Sequence, residues 1–247
     1  DWWNGKKDVW QKHLSAKLAG RDFVEQLGVK VPKLYWKGDN LADLTSEERL
    51  PPSYVLKPEK GWSSNNVYCI ADGHDLLNHR DITLMEIVGE LSENEFFKRV
   101  KPTVMIEELL VPESKQNSDF VPRDFKFYCF GSKIAMVHVA LRKSVVKTNM
   151  NVHHYFDANF KKIPHRIMES RAVLDEPLER PDCWDEMVAS VQKIGEALNI
   201  YMRIDMFATN RGAVFGELTP TPHGGKGYSE FGDRFLGSYW EGEEGVE

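Results

Sequence analysis

Asp205 and Glu217 lie in two short segments, Tyr201 to Thr209 and Ala213 to Thr219, that alternate apolar and polar residues and are joined by Asn210-Arg211-Gly212. A loop made of those three residues sets Thr209 opposite Ala213. Counting back along both strands then brings Asp205 opposite Glu217, with Arg203 and Thr219 on the same face and Ile204, Met206, Val214 and Leu218 turned to the core. Directly opposed carboxylates, with Cβ atoms about 4.5–5.5 Å apart, repel each other unless a cation sits between them. Oxygen donors with no Cys or His nearby select Mg²⁺, which takes its remaining ligands from water and substrate phosphates, so a nucleotide is implied. The alternative is a solvated acidic face on which Arg203 neutralises one of the carboxylates.

Two further segments have the composition of a nucleotide site. Lys57 ends a strand just before Pro58 and a small polar loop, in which Gly61, Ser63, Ser64, Asn65 and Asn66 offer backbone N–H groups and short side chains to phosphates. The loop lacks the Walker spacing, which argues against a P-loop NTPase. The run Met105-Ile-Glu107-Glu108-Leu109-Leu110 leaves its sheet with two acids and two leucines, suited to holding adenine by backbone groups and a ribose by a carboxylate. Arg142 ends a strand, where its fork would serve a substrate carboxylate or phosphate, or else a plain ion pair. His153-His154 falls in an expected loop, where a structural or solvent-facing role outweighs metal binding. Gly224-Gly225-Lys226-Gly227 reads as a closing loop or an anion nest.

The elements that must position these groups follow from periodicity. Trp10, Leu14, Leu18, Val24 and Leu27 mark one amphipathic helix or two abutting short ones, stopped at Gly28 and Pro32, and 41–52 reads as a connection. Hairpins are expected from Tyr54–Lys57 with Val67–Ile70 and from Phe125–Phe130 with Lys133–Leu141. Helices are expected over Leu84–Val100 and Pro181–Leu198, with a strand at Thr103–Glu107. Hairpins separated by helices give an α+β class with antiparallel sheets. The domain reading is a helical segment over 1–50, a subdomain with the phosphate-covering loop over 51–112, and a subdomain with the metal site over 113–247.

Composition sets the outer bounds. The chain has 247 residues, 41% of them hydrophobic and 28% charged, and a net charge of −6, so it folds around a core and has no global basic field for nucleic acid or an anionic membrane. No apolar run is long enough for an integral membrane segment. Three scattered cysteines fit neither a disulfide framework nor zinc, and a reducing cytoplasm is expected. The chain begins at Asp1, so a segment upstream is expected to be missing.

Taken in order, Lys17-x-x-x-Arg21 with Gly28-x-x-x-Pro32, Val55-Leu-Lys57-Pro58, Ile106-Glu107-Glu108, Arg203-Ile-Asp205 and Gly216-Glu217-Leu-Thr219 resemble the ATP-grasp superfamily. Asp124-Phe-Lys126-Phe-x-Cys-Phe-Gly131, Arg142 and Phe215-Gly-Glu217-Leu-Thr-Pro-x-Pro-x-Gly-Gly225 are similar to its TupA-like group. The resemblance implies two subdomains clamping ATP between their sheets. Lys57 and Lys126 would contact phosphates under a lid at 61–66, and Glu107, Glu108, Leu109 and Leu110 would hold adenine. Asp205 and Glu217 would bind Mg²⁺, with Thr219 standing where many members have Asn, and Lys17 would add a further contact to the cofactor. It further implies an ATP-dependent carboxylate–amine ligase acting through an acyl phosphate, with Arg203 and Arg142 as catalytic groups. Its substrates would be a small-molecule or saccharide carboxylate and an amine, in a polysaccharide-linked pathway. A partner or an N-terminal segment would complete the acceptor site. A kinase acting on a hydroxyl and a non-catalytic nucleotide-binding module are the alternatives.

Overall fold

The computed structural model describes residues 10–44, 50–61, 65–113, 121–141, 152–171 and 177–241. Ser63, Ser64 and Arg142 lie outside the described residues. The chain divides into two compact units, one made of Asp1–Val31 with Val111–Glu247 and the other of Pro32–Leu110. The first fifty residues are therefore not a segment of their own. A 3₁₀ turn at Trp10–Ser15 and helix α1 (Lys17–Gln26) go with the larger unit, because Leu14 and Val24 are built into its core. The residues after Pro32 go with the smaller unit, because they supply a strand the sequence reading had missed, β1 (Leu34–Gly38).

The smaller unit continues with β2 (Ser53–Pro58), β3 (Tyr68–Ala71), β4 (His74–Asp75), β5 (Arg80–Asp81), helices α2 (Leu84–Glu93) and α3 (Glu95–Val100), and β6 (Val104–Glu108). Its antiparallel sheet has the order β1-β6-β2-β3-β4-β5. The single helix expected over Leu84–Val100 is broken at Asn94, whose side chain accepts the Phe96 N–H at 2.9 Å and so starts a new helix. One face of the sheet packs Tyr54, Leu56, Tyr68, Ile70, Val104 and Ile106 against Leu84, Ile87 and Leu91. Alternation therefore puts Val55, Lys57, Cys69, Met105 and Glu107 on the other face.

The larger unit contains β7 (Asp124–Phe130), β8 (Lys133–Leu141), β9 (Val152–Phe156), α4 (Trp184–Leu198), β10 (Tyr201–Thr209), β11 (Gly212–Thr219) and α5 (Glu230–Glu241). The sheet order is β11-β10-β7-β8-β9, all antiparallel. The stripe Trp184, Met187, Val191, Ile194 and Leu198 of α4 covers one face, against Phe125, Phe127, Val137, Val139, Ile204 and Met206. Close approach is enforced at Gly195, where a Cβ would stand 2.1 Å from the carbonyl oxygen of Gly131 in the β7–β8 turn. On the other face Tyr128, Met136 and Tyr155 pack with Ile163, Ile167, Met168 and Leu236 of α5. His153 and His154 lie inside β9 and are buried, not in a loop: His154 stacks on Phe156, and His153 points to the opposite face.

The β10–β11 hairpin corrects one detail of the sequence reading. Its turn has two residues, Asn210 and Arg211, because Thr209 pairs with Gly212. A two-residue turn alone would set Asp205 opposite Gly216, but a bulge between Asp205 and Met206 skips that glycine and pairs Asp205 with Glu217. A Cβ on Gly216 would lie 3.1 Å from the Asp205 carbonyl oxygen and 3.0 Å from the Phe207 ring. Beyond the bulge the phase is shifted, so Ala213 and Phe215 join the cluster under α4, while Val214 is fully buried, as expected, outside that cluster.

Candidate functional site

The face of the larger sheet turned away from α4 carries a charged row. Glu217 pairs with Asp205, Asp205 with Lys126, and Lys126 with His138, one on each of four neighbouring strands. Arg203 and Asp124 sit two residues along from Asp205 and Lys126, on the same face. Arg203 grips Asp205 in a fork, Nε to Oδ1 and Nη2 to Oδ2, both at 2.6 Å, and the same Nη2 reaches Glu217 Oε1 at 2.7 Å. Lys126 Nζ donates to Asp205 Oδ2 at 3.0 Å and to Asp124 Oδ2. Thr219 Oγ1 donates to Glu217 Oε1 at 3.1 Å. The cation between the opposed carboxylates is thus Arg203, and the face is buried where the sequence alternative had it solvated: Asp205 is 2% exposed and Arg203 8%.

Burial disfavours the charged form of each group, and the partners decide the outcome. The Asp205 carboxyl is held below its usual value, because Arg203 and Lys126 outweigh the cost of its burial. The Lys126 ammonium is likewise desolvated, yet Asp124 and Asp205 raise it above the ordinary lysine value. Asp205, Lys126 and Arg203 therefore stay charged at neutral pH, in a network of three carboxylates and two basic side chains.

A divalent cation fits this donor set. Of the four lone-pair positions of Asp205, the hydrogen bonds occupy three and leave one on Oδ1. Glu217 uses only Oε1 and is less enclosed, its side chain being 41% exposed. Among the described residues no cluster of three or more His, Cys, Asp or Glu side chains is arranged to hold a metal by itself. A cation here would take Asp205, Glu217 and the Thr219 hydroxyl and complete its shell with water or phosphate oxygens.

In the smaller unit, Lys57 of β2 forms an ion pair with Glu107 of β6, at 16% and 8% side-chain exposure. Glu107 thus engages a lysine where the sequence reading gave it to adenine. Glu108 is likewise engaged, with Oε2 accepting the Lys33 N–H at 3.0 Å and its own N–H donating to the Lys33 carbonyl at 2.8 Å. Leu110 is buried and Leu109 half-buried just beyond the strand. Gly61 lines a pocket of about 240 Å³ with Pro58, Asn65, Asn66, Asn94 and Phe96. Lys17 opens α1 in the larger unit and is half-buried. Asp124 joins the row as well, and its spacing of two residues from Lys126 on a strand is the sequence signal for that place.

A profile of the family described as TupA-like ATPgrasp matches residues 5–241. The chain belongs to the TupA-like ATP-grasp family. No curated protein matches it in sequence. Among solved structures it is similar to D-alanine–D-alanine ligase from Bacillus anthracis complexed with ATP, at 15% identity and a TM-score of 0.51, with 85% of this chain and 55% of that one covered. It is also similar to the ATP-grasp ligase PsnB complexed with a minimal precursor (12% identity, 85% and 54% covered, TM-score 0.49). A third neighbour is the macrocyclase MdnC from Microcystis aeruginosa bound with precursor peptide MdnA (13%, 85% and 53%, 0.45). The chain spans about half the length of these proteins, and the likeness to the Bacillus anthracis ligase shows the ATP-grasp fold alone. Among the described residues no helix is long and apolar enough to cross a membrane.

Proposed function

We propose that this chain is the nucleotide-binding and catalytic part of an ADP-forming carboxylate–amine ligase that works through an acyl phosphate. The observation that carries the reading is the row Glu217–Asp205–Lys126 bridged by Arg203: two acids able to share a cation, beside two cations able to meet phosphate oxygens. Family membership, and neighbours that are themselves ligases, support it. Mg²⁺ held at Asp205, Glu217 and Thr219 would neutralise charge on the phosphates of ATP.

In this scheme Lys126 and Lys57 hold phosphate oxygens, and Glu107 keeps the Lys57 ammonium in place. Gly61, Ser63 and Ser64 cover the phosphates, Leu109 and Leu110 flank adenine, Glu108 anchors the segment through Lys33, and Lys17 adds a further cation. The acceptor carboxylate attacks the γ-phosphorus and ADP leaves; the amine then attacks the acyl carbon and inorganic phosphate leaves. Arg203 meets the developing negative charge in both steps, and Arg142 orients the acceptor. Positioning and charge neutralisation suffice for such transfer, and these side chains supply both. A saccharide or small-molecule carboxylate and an amino-group donor are the proposed substrates, and a polysaccharide-linked role in the cytoplasm is the proposed setting.

The test is ADP release from Mg²⁺-ATP over a panel of sugar acids and amino acids, with hydroxylamine present. A hydroxamate is expected, because only an acyl phosphate yields one. ADP release without hydroxamate would make the protein a kinase. No turnover with any acceptor would leave it a nucleotide-binding module.

A further inference from the structure

The charged row continues past Lys126. Its neighbour on β8 is His138, and the neighbour of His138 on β9 is Tyr155. His138 Nε2 lies 2.9 Å from His153 Nδ1; the two rings stack at 5.2 Å, and His138 stacks on Tyr155 at 5.0 Å. Whichever ring donates in the histidine pair, Nδ1 of His138 is buried without a hydrogen-bond partner, and so is Nη1 of Arg171. Native interiors leave few such atoms, and each asks for an explanation.

Charge is distributed differently at this end. Arg171 forms no ion pair with a carboxylate among the described residues. After burial, its charge is the strongest electrostatic influence on His138, His153 and His223, and the three rings stay neutral donors and acceptors around it. His223 is exposed, on a segment that follows β11 with a left-handed backbone (φ 54°). At the other end of the row every cation is met by an acid. Here the charge of one guanidinium falls on three imidazoles, and among the described residues no carboxylate pairs with it.

We propose that Arg171, His153 and His223, backed by His138 and Tyr155, form a subsite for a second anionic group of the acceptor. Adjacent strands lie about 4.8 Å apart, so Tyr155 stands about 10 Å from Lys126 along the row. One carboxylate cannot serve both ends. The acceptor therefore carries one anionic group that is phosphorylated beside Lys126 and Arg203, and another, a second carboxylate or a phosphoryl group, that Arg171 reads. The inference rests on the ligase reading for the identity of the bound molecule as the acceptor.

Inorganic phosphate and glutarate serve as probes, each titrated calorimetrically into the full chain already saturated with Mg²⁺ and a nonhydrolysable ATP analogue, so that the nucleotide site is filled. Arg171→Met is expected to weaken binding by about tenfold or more, as loss of a charge-assisted contact does, and Arg171→Lys to keep part of it. Tighter binding of phosphate assigns the second group as phosphoryl, and tighter binding of glutarate assigns it as a carboxylate. Equal affinity in the wild type and Arg171→Met, or no binding of either probe to the wild type, overturns the subsite. If Arg171→Met does not fold, His223→Ala at its exposed position takes the same criterion. Failure of the wild type to bind the nucleotide analogue overturns the ligase reading instead, and the probes titrated alone still decide the subsite.

Discussion

Lys57 and Lys126 each stand on the third strand of an antiparallel sheet, each half-buried and each facing carboxylates, yet the two settings differ in their charge balance. Lys57 meets one acid, Glu107, and the pair is neutral in itself. Lys126 sits between Asp124 and Asp205, and Asp205 is also held by Arg203, which reaches on to Glu217. Three acids against two cations leave that network with one negative charge in excess. A self-contained pair has nothing to offer a further cation, whereas an unbalanced buried network gains from one. On the proposed function, the difference would put a bound cation in the larger unit and leave Lys57 of the smaller unit to be shared between a phosphate and Glu107.

The largest effect expected from this contrast is on stability. Asp205→Asn keeps the shape of the side chain but strips the shared charge from Arg203 and Lys126, both desolvated, and breaking a buried ion pair in this way typically costs about 3 kcal/mol. Denaturant unfolding of the protein without metal should show it. A variant as stable as the wild type would mean that the network is balanced by something other than Asp205.

Lys57→Met should cost less, about 2 kcal/mol, because it orphans one carboxylate instead of two cations. Adding Glu107→Gln to that variant should restore part of the loss. A double-mutant cycle with no coupling between positions 57 and 107 would show that the pair is an onlooker and that the comparison of the two lysines rests on geometry alone.

Much of this arrangement was legible in the sequence, and what was not has physical reasons. The opposition of Asp205 and Glu217 was read correctly, but through a compensation: a turn one residue shorter than expected was offset by the bulge at Gly216. The letters show a glycine there without saying that the ladder skips it. Strand β1 escaped because five residues, Leu34-Tyr-Trp-Lys-Gly38, are too few for alternation to show, and only β6 gives them a partner. His153 and His154 looked like loop residues because imidazoles are polar, while packing on Phe156 and His138 holds them in a strand. The grip of Arg203 on both acids was weighed as the bland alternative to a metal site. In the structure the grip leaves oxygen positions on both carboxylates, so it does not exclude a cation.

At the neutral end of the row the contrast becomes one of pH. Burial and the charge of Arg171 push His153 down to about 4, whereas in the unfolded chain it titrates near about 6.5. Between those values the unfolded chain binds more protons, so stability falls as the pH is lowered through that window and is unaffected by this group above it. His153→Gln should flatten the slope. Asp205 acts in a lower window, since its depressed carboxyl contributes above about 3.9 and loses that contribution only in stronger acid. A wild type whose stability is flat from pH 6.5 to 4 would show that His153 is protonated in the folded protein.

The smallest effect on the fold is expected at Glu217, and for that reason it separates folding from chemistry. Its side chain is 41% exposed and Arg203 retains Asp205 when it is lost, so Glu217→Gln should change stability by no more than about 0.5 kcal/mol. The same change removes one of the two carboxylates assigned to the cation, and ADP release with Mg²⁺ should fall severely. Asp205→Asn disturbs both properties and cannot tell them apart; Glu217→Gln disturbs only the one that depends on a bound cation. A stable Glu217→Gln variant with undiminished turnover would move the metal away from this end of the row, leaving Arg203 and Lys126 as phosphate contacts without it.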